Sequence, residues 1–559
     1  MSTPAPPAGP TAADSGTGPE TDGLDAVAAA RQRPTAADDV SLVRSSGIMA
    51  LGTLASRVTG FLRTAVFGYA LGAATLADAY NNANTLPNVV YNLALGGILT
   101  SVVVPLLVSA AKRDADRGEA YDQRMFTLGV LALGGITLVA TLAAGPLVAL
   151  YAASVHGSER SVMVVFAYFF IPQIFFYGVS SLAGAILNAR GHFAAPMWTP
   201  VVNNMVVIAV GLLFMVTAGL NLSTATISSG QVQLLGIGTT LGIVAQTAAL
   251  IPALRKVGFR WRPRFDFRKA EVAEIRRMAS WMFGYIATTQ VAFLVTTRVA
   301  NEAAVRAHHL HGSGYTDYSY AWLLFQLPYA IVGISVITAL LPRMSAHAAD
   351  QRYGLVSGDF SAGVRLSSVI VVPAAVVLAV LGPPLAEVLL GYGSMSFADA
   401  KYLGQVFAVF SLGLAPYMMF QLLLRVFYAL HDSRTPALIG LLTMAVNIAA
   451  NLIALAVLPP VDVVAGLGAG FGAANLVGAV AGWLVLSRRI GGLDGRRIGI
   501  SLVKMHVAAI PSVLFAAAVT VMVGAVVPAG TLAALIIVIL SGGGALLLYV
   551  LFAKALGVA

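Results

Sequence analysis

From about residue 44 to about residue 557 the chain is a succession of long apolar stretches, with its charge gathered into the short segments between them. No other feature limits the fold so strongly. A run of about 20 apolar residues crosses a bilayer as a helix, because a helix satisfies its backbone polar groups internally where no water can. Barrel strands would alternate apolar and polar residues over roughly ten positions, and no such alternation occurs. Hydrophobic residues make up 58% of the chain and charged residues 10%. Soluble domains carry about 25% charged residues, so lipid must be the solvent for most of this surface. The predicted fold is an all-α polytopic membrane protein of about fourteen transmembrane helices. The spans lie at about 44–72, 78–109, 122–153, 160–189, 194–219, 231–254, 271–304, 315–346, 358–385, 398–430, 435–458, 463–487, 500–527 and 530–557.

The segments between spans test that count. With the N-terminus inside, 26 of the 34 basic residues fall on the predicted inside, as the bias of Lys and Arg toward cytoplasmic loops requires. Lys112, Arg113, Arg117 and Arg124 lie between spans 2 and 3, and Arg488, Arg489, Arg496, Arg497 and Lys504 between spans 12 and 13. The densest group, from Arg255 to Arg277, lies between spans 6 and 7. Only Arg160, Arg306 and Lys401 occupy predicted outward loops. One span more or fewer would scramble the asymmetry, so both termini are predicted cytoplasmic. The net charge of +10 is thus a matter of topology and of contact with anionic lipid, not of nucleic-acid binding. Residues 1–43 have no apolar periodicity and read as a disordered cytoplasmic tail without the pattern of a signal peptide. The absence of cysteine excludes disulfides, thiol catalysis and cysteine-held metal.

Two short blocks repeat. Ala189 to Pro196 and Ala429 to Pro436 share their spacing, and Leu86-Pro87 recurs as Leu327-Pro328. Spans 1–6 and 7–12 therefore read as two copies of one bundle related by a pseudo-two-fold. An even number of spans per copy puts the repeat axis along the membrane normal. The predicted domains are the tail (1–43), a six-helix bundle (44–256), a basic loop with the start of span 7 (257–277), a second six-helix bundle (278–489) and two terminal spans (490–559).

Polar residues inside spans are costly and need a partner or a hydrated cavity. In span 1, Arg57 and Arg63 share an arc of about 120° with Thr53, Ser56, Gly60 and Thr64. In span 2, Asp78, Asn81, Asn84, Asn88 and Asn92 share a similar arc, with Asn82 just beyond it. Matching stripes on adjacent spans imply a wet face. Two readings stay open for them: hydrogen bonds that join helices, or a binding cavity. The two arginines outnumber the one carboxylate, and a surplus guanidinium suits a phosphate held by two parallel hydrogen bonds. Arg298 and Arg425 are further candidate anion contacts, each close enough to an interface to snorkel. His308, His309 and His311 lie in an outward loop and are expected to be solvated, with no metal site. The acids Glu159, Glu302, Asp317, Glu387, Asp399 and Asp462 are expected to be scattered among outward segments. Gly466, Gly468, Gly470 and Gly472 are expected to allow close helix packing.

The stretches S-R-V-T-G-F-L-R (56–63), A-D-A-Y (77–80), L-P-N (86–88), V-P-L-L (104–107), I-L-N-A-R-G-H-F-A-A-P-M-W-T-P-V-V-N-N (186–204) and F-Y-A-L-H-D-S-R-T-P (427–436) resemble the MurJ/MviN lipid II flippases of the multidrug/oligosaccharidyl-lipid/polysaccharide exporter superfamily. The resemblance covers about 44–557. It implies an alternating-access carrier in the bacterial inner (plasma) membrane, not an enzyme. The carrier would move the undecaprenyl-diphosphate-linked peptidoglycan precursor to the outer leaflet, in company with the cell-wall synthesis machinery. It implies that Arg57, Arg63 and Asp78 line the cavity and that the last two spans form a groove for the lipid tail. The chain departs from the family pattern at Tyr91 and Asn92, and at Ala321, Trp322, Leu323 and Leu324, where relatives carry arginines or an A-D-R-L stretch. Asn447 and Asn451 keep the spacing of the family's sodium ligands but bring no carboxylate. No cofactor is expected. No phosphate-binding G-x-x-x-x-G-K-[ST] loop occurs, and an inside-negative potential would assist a doubly charged diphosphate by about 4–5 kcal/mol per 100 mV. Another exporter of the superfamily, carrying drugs or a polysaccharide lipid, is the alternative. An enzyme acting on the same lipid and a non-transporting scaffold are the remaining rivals.

Overall fold

The computed structural model describes residues 36–95, 107, 118–266 and 269–558. Regular structure among them is entirely helical. The first elements are α1 (Ala36–Leu71), α2 (Thr75–Leu95), α3 (Glu119–Leu142), α4 (Ala144–Tyr151), α5 (Gly157–Phe170), α6 (Gln173–Ala189), α7 (Ala194–Ala218), α8 (Ser229–Ala248) and α9 (Ile251–Lys256). Then follow α10 (Lys269–Arg306), α11 (Tyr315–Pro328), α12 (Ile334–Ala349), α13 (Tyr353–Leu390), α14 (Phe397–Leu412), α15 (Leu414–Ala429), α16 (Arg434–Val457), α17 (Val463–Ile490), α18 (Gly495–Val526) and α19 (Thr531–Ala555). The chain divides into two units, Met1–Leu51 and Gly52–Ala559; in the first, residues 36–51 are helical. Helix α1 thus begins inside the stretch read from composition as a tail, and residues 1–35 lie outside the described residues. So do most of the second half of span 2 and the basic residues Lys112, Arg113, Arg117 and Arg268.

Among the described residues nine helical segments are long and apolar enough to cross a membrane, or up to eleven if each of two bent pairs is one span. Among the described residues five predicted spans are interrupted. Span 3 divides at Ala143, span 4 at Ile171-Pro172, span 6 at Ala249-Leu250, span 8 at a π-turn over Tyr329–Gly333, and span 10 at Gly413. The last two bend by 45°. Pro328 immediately precedes the π-turn, where the widened winding accommodates the missing backbone donor. At Gly413 the cause is contact: a Cβ there would lie 3.0 Å from the Cα of Gly472 on α17. The glycine stripe of α17 serves both neighbours. Gly468 and Gly472 meet Phe410 and Gly413, while Gly466 and Gly470 meet Ala454 and Ala450 on α16.

The apolar side chains form two large cores. One gathers Phe67, Phe166, Phe170, Phe214 and their neighbours from α1 to α8. The other gathers Phe325, Phe360, Phe410, Phe427 and neighbours from α10 to α17. Val216, Leu142, Val457 and Val526 are more than 70% exposed, which a lipid solvent favours and water would not.

The two short blocks that share their spacing also share a turn. At the end of α6, the amides of Arg190, Gly191 and His192 donate to Ile186, Asn188 and Leu187 at 3.1, 3.1 and 2.8 Å. At the end of α15, 240 positions on, Leu430, His431 and Asp432 donate to Val426, Tyr428 and Phe427 at 3.0, 3.0 and 2.9 Å. Gly191 and His431 both turn left-handed, with φ of 75° and 56°. Each turn is then pinned by an ion pair, from different partners. Arg190 reaches Asp122 at 2.5 Å and the carbonyl of Val257 at 2.8 Å, whereas Asp432 takes Arg489 and the Thr435 hydroxyl at 2.6 Å.

Candidate substrate cavity and gate

The hydrogen bonds between the two bundles gather at the end that the charge asymmetry assigns to the outside. Asp78, in the first turn of α2, accepts the backbone N–H of Thr316 at 2.8 Å. That amide opens α11, where unpaired donors and the helix dipole favour an anion. Asn81 donates to the Thr316 hydroxyl at 3.1 Å, and Thr85 meets the Tyr315 hydroxyl at 2.9 Å. Asn82 and Asn301 exchange two amide bonds of 2.9 Å, and Asn301 also donates to the carbonyl of Tyr151 at 3.2 Å. Ser394, between α13 and α14, donates to the carbonyls of Tyr69 and Ala70 at 2.8 and 3.0 Å. Gly314 is required where it stands, because a Cβ there would lie 2.1 Å from Asp78 Oδ2.

Asp78 is therefore 1% exposed and belongs to this gate. It does not neutralise Arg63. Arg57 is exposed and Arg63 half-buried, and among the described residues neither forms an ion pair. Arg63 acts electrostatically on Tyr80, Tyr177 and Tyr320, which come from both bundles. Tyr177 also lies beside Asn88. Asn84 is half-buried, and Asn88 and Asn92 are exposed. The asparagines of α2 thus divide: Asn81 and Asn82 join the bundles, while Asn84, Asn88 and Asn92 continue the accessible face toward the inner end. Part of the α1 stripe packs instead of facing water. Asn204 of α7 donates to the carbonyl of Ser56 at 3.1 Å and to the Thr59 hydroxyl at 3.0 Å.

The remaining candidates fall elsewhere. Arg298 is exposed, and its Nε donates to the carbonyl of Leu150 at 2.5 Å near the outward end of α4. Arg425 lies near the inner end of α15, 5.9 Å over the Tyr428 ring and beside Tyr329 at the π-turn. Tyr91, where the family resemblance implies arginine, turns to α6 and donates to the Ser181 hydroxyl at 2.7 Å. Trp322 is held in an aromatic cluster, 4.9 Å from Phe471 and 5.4 Å from Phe325. The charge expected there from relatives is replaced by packed rings. Asn451 is fully buried and donates to the Thr296 hydroxyl at 2.9 Å and to Asn447 Oδ1 at 3.3 Å. Its partners are a hydroxyl and an amide, not a carboxylate.

Two expectations are corrected. The outward acids are not all scattered, and His309 is not a freely solvated loop residue. His309 Nε2 lies 3.4 Å from Glu159 Oε2, and Glu159 is 7% exposed. Ligand atoms of Asp78, Glu159 and His309 lie within 4.8 Å of one another. Burial, and after it the neighbouring His308, hold the His309 imidazole below its ordinary pKa. His311 approaches Asp399 at 3.4 Å. Sequence reading missed this group because its members come from three distant segments, brought together only when the outward helix ends meet.

Helices α18 and α19 pack against α13. An apolar cleft of 690 Å³ runs between α13 and α18, lined by Val376, Leu502, Val507, Ile510 and Leu514. Toward the inner end a second cleft of 750 Å³ holds Arg365, Arg496, Arg497 and Lys504.

The sequence model of the family described as "Lipid II flippase MurJ" matches residues 67–540. The "Probable lipid II flippase MurJ" of Vibrio cholerae is 28% identical over 74% of this chain and 77% of its own length. The "Lipid II flippase MurJ" of Burkholderia cenocepacia is 25% identical over 72% and 76%. Among solved structures, a lipid II flippase MurJ in an inward closed conformation superposes with a TM-score of 0.70 at 16% identity, covering 91% of this chain and 98% of that one. An inward-facing multidrug resistance MATE family transporter of the MOP superfamily gives 0.62 at 16% identity over 78% and 95%.

Proposed function

Because the chain belongs to the MurJ family of lipid II flippases, we propose that it carries an undecaprenyl-diphosphate-linked peptidoglycan precursor from the inner to the outer leaflet of the plasma membrane. The observation that carries this reading is the match of the family's sequence model over residues 67–540. The site chemistry supports it. Arg57 and Arg63 are guanidinium groups without ion-pair partners among the described residues, and each can hold a phosphate through two parallel hydrogen bonds. Tyr177, Asn84, Asn88 and Asn92 extend that surface with neutral hydrogen-bonding groups suited to sugar and peptide. The cleft between α13 and α18 is apolar apart from His506 and suits a polyprenyl tail.

The cycle follows from the gate. With the bundles joined at their outward ends, substrate reaches Arg57 and Arg63 from the inside. Separation of Asp78 from Thr316, and of Asn82 from Asn301, opens the outward path, and joining of the inner ends closes the other. The energy comes from the membrane potential acting on the diphosphate, or from sodium. The protein works beside cell-wall synthesis enzymes, in contact with anionic lipids, with both termini cytoplasmic. Another lipid-linked polysaccharide is not favoured as substrate, since the relatives named above are lipid II flippases.

The test is replacement of Arg57→Ala or Arg63→Ala in a strain depleted of its own flippase, with lipid II exposed on the outer leaflet as the readout. Each variant should insert normally and fail to restore exposure, and Lys should restore it only in part. Full restoration by both alanine variants would refute the assignment.

A further inference from the structure

The gate contains an arrangement that flipping a lipid does not call for. Asp78 uses one oxygen, Oδ1, on the Thr316 amide. Its other oxygen, Oδ2, is buried without a hydrogen-bond partner, in a residue 1% exposed. Beside it are the buried Glu159 carboxylate and the His309 imidazole, whose Nδ1 also lacks a partner. Asp317, in the first turn of α11, is fully buried and leaves Oδ1 without a partner. A desolvated carboxylate oxygen with no donor is costly, and no Lys or Arg closes an ion pair with Asp78 or Glu159 among the described residues. The gate gathers carboxyl oxygens and offers them no cationic side chain among the described residues.

From this geometry we infer that Asp78, Glu159 and His309 form a binding site for one divalent transition-metal ion of the zinc type, bridging the two bundles at the outward gate. The donor set is one imidazole nitrogen and two carboxylate oxygens, a set that suits zinc and its neighbours rather than the all-oxygen preference of magnesium or calcium. The spacing fits. Two ligands on one tetrahedral zinc stand about 3.4 Å apart, and His309 Nε2 and Glu159 Oε2 are 3.4 Å apart. The third ligand atom lies within 4.8 Å of both and closes by side-chain rotation. A fourth position remains for water. The His309 side chain is 23% exposed, which leaves a path for the ion from the outward side.

The placement gives the ion a conformational effect. Asp78 and Glu159 belong to α2 and α5 of the first bundle, and His309 follows α10 of the second. Opening the gate pulls His309 away from the other two, so a bound ion favours the closed form by its differential affinity. An outward metal ion would therefore restrain transport. A proton shared between the carboxyls is the other way to neutralise the group, and the experiment separates the two.

The full-length protein, freed of any purification tag, is titrated with zinc by calorimetry. A single cysteine at Asn84→Cys, inward of the gate, reports opening through its reaction with an impermeant thiol reagent added outside. Wild type should bind one zinc per chain, with magnesium failing to compete. His309→Ala and Glu159→Gln should each weaken binding at least tenfold, and His308→Ala should leave it unchanged. Zinc should slow labelling of Asn84→Cys alone and have no effect on Asn84→Cys combined with His309→Ala. His309 lies in a loop, so its variant tests the idea even if Asp78 variants do not fold. Absence of zinc binding, or binding unchanged in both His309→Ala and Glu159→Gln, overturns the inference and leaves the proton as the neutralising species.

Discussion

Asn82→Ala isolates the strength of the outward gate. In the closed form Asn82 and Asn301 are buried, at 4% and 2% exposure, and exchange two hydrogen bonds of 2.9 Å across the bundle interface. Polar contacts between membrane helices contribute about 0.6 kcal/mol each, with a ceiling of about 1.7. Loss of both bonds should therefore weaken closure by about 1.2 kcal/mol, or roughly sevenfold in the equilibrium. Asn301 keeps its bond to the Tyr151 carbonyl but loses the donor to its own oxygen, which can raise the total to about 3 kcal/mol. The chain has no cysteine of its own, so Asn84→Cys is a unique reporter in right-side-out membrane vesicles. If opening is fast relative to modification, the labelling rate follows the open population and should rise about sevenfold or more. Asn301→Ala should do the same. The double variant should fall short of the product by about the coupling of the two amides, as residues in direct contact do. A labelling rate within twofold of the parent, or full multiplicativity in the double variant, would show that the amide pair does not hold the gate.

Gly314→Ala should prop the same gate open. The new methyl would meet Asp78 Oδ2, and the forced displacement should cost about 1–3 kcal/mol, read as faster labelling at Asn84→Cys and a lower melting temperature. Asp432→Asn should show a signed pH dependence. Burial alone would raise the Asp432 pKa, but the Thr435 hydroxyl and amide and the Arg489 guanidinium override it and hold the carboxyl below its ordinary value. A depressed folded pKa stabilises the protein above the unfolded value and loses that contribution as pH falls through the folded one. The variant should melt lower than wild type at neutral pH, and the difference should begin to narrow below about pH 4 and close as pH falls through the folded value; a gap that does not narrow on acidification would contradict the assignment.

The asparagines of α2 show how far a stripe of polar residues can be read. Their shared face follows from helical geometry, but which of them meet a partner depends on where α10 and α11 sit. Asn82, just beyond the predicted arc, is the residue that pairs with Asn301, while Asn88 and Asn92 remain accessible. Trp322 is a similar case. Its departure from the family pattern is visible in the sequence, but its replacement of charge by a cluster with Phe325 and Phe471 is not, because α17 supplies one of those rings.

The sequence alone determined that the chain is built of apolar helices suited to lipid and that Arg57 and Arg63 share one face of α1. These properties are local: the apolar length of a segment, the sign of the charge beside it and the angle between neighbours on one helix are set within some thirty residues. Tertiary structure decided what becomes of Asp78, Glu159 and His309. Whether a buried carboxylate meets a guanidinium, an amide or another carboxylate depends on helix tilt and on how far the ends of separate helices approach. No periodicity records that, because it is settled by the packing of both bundles at once.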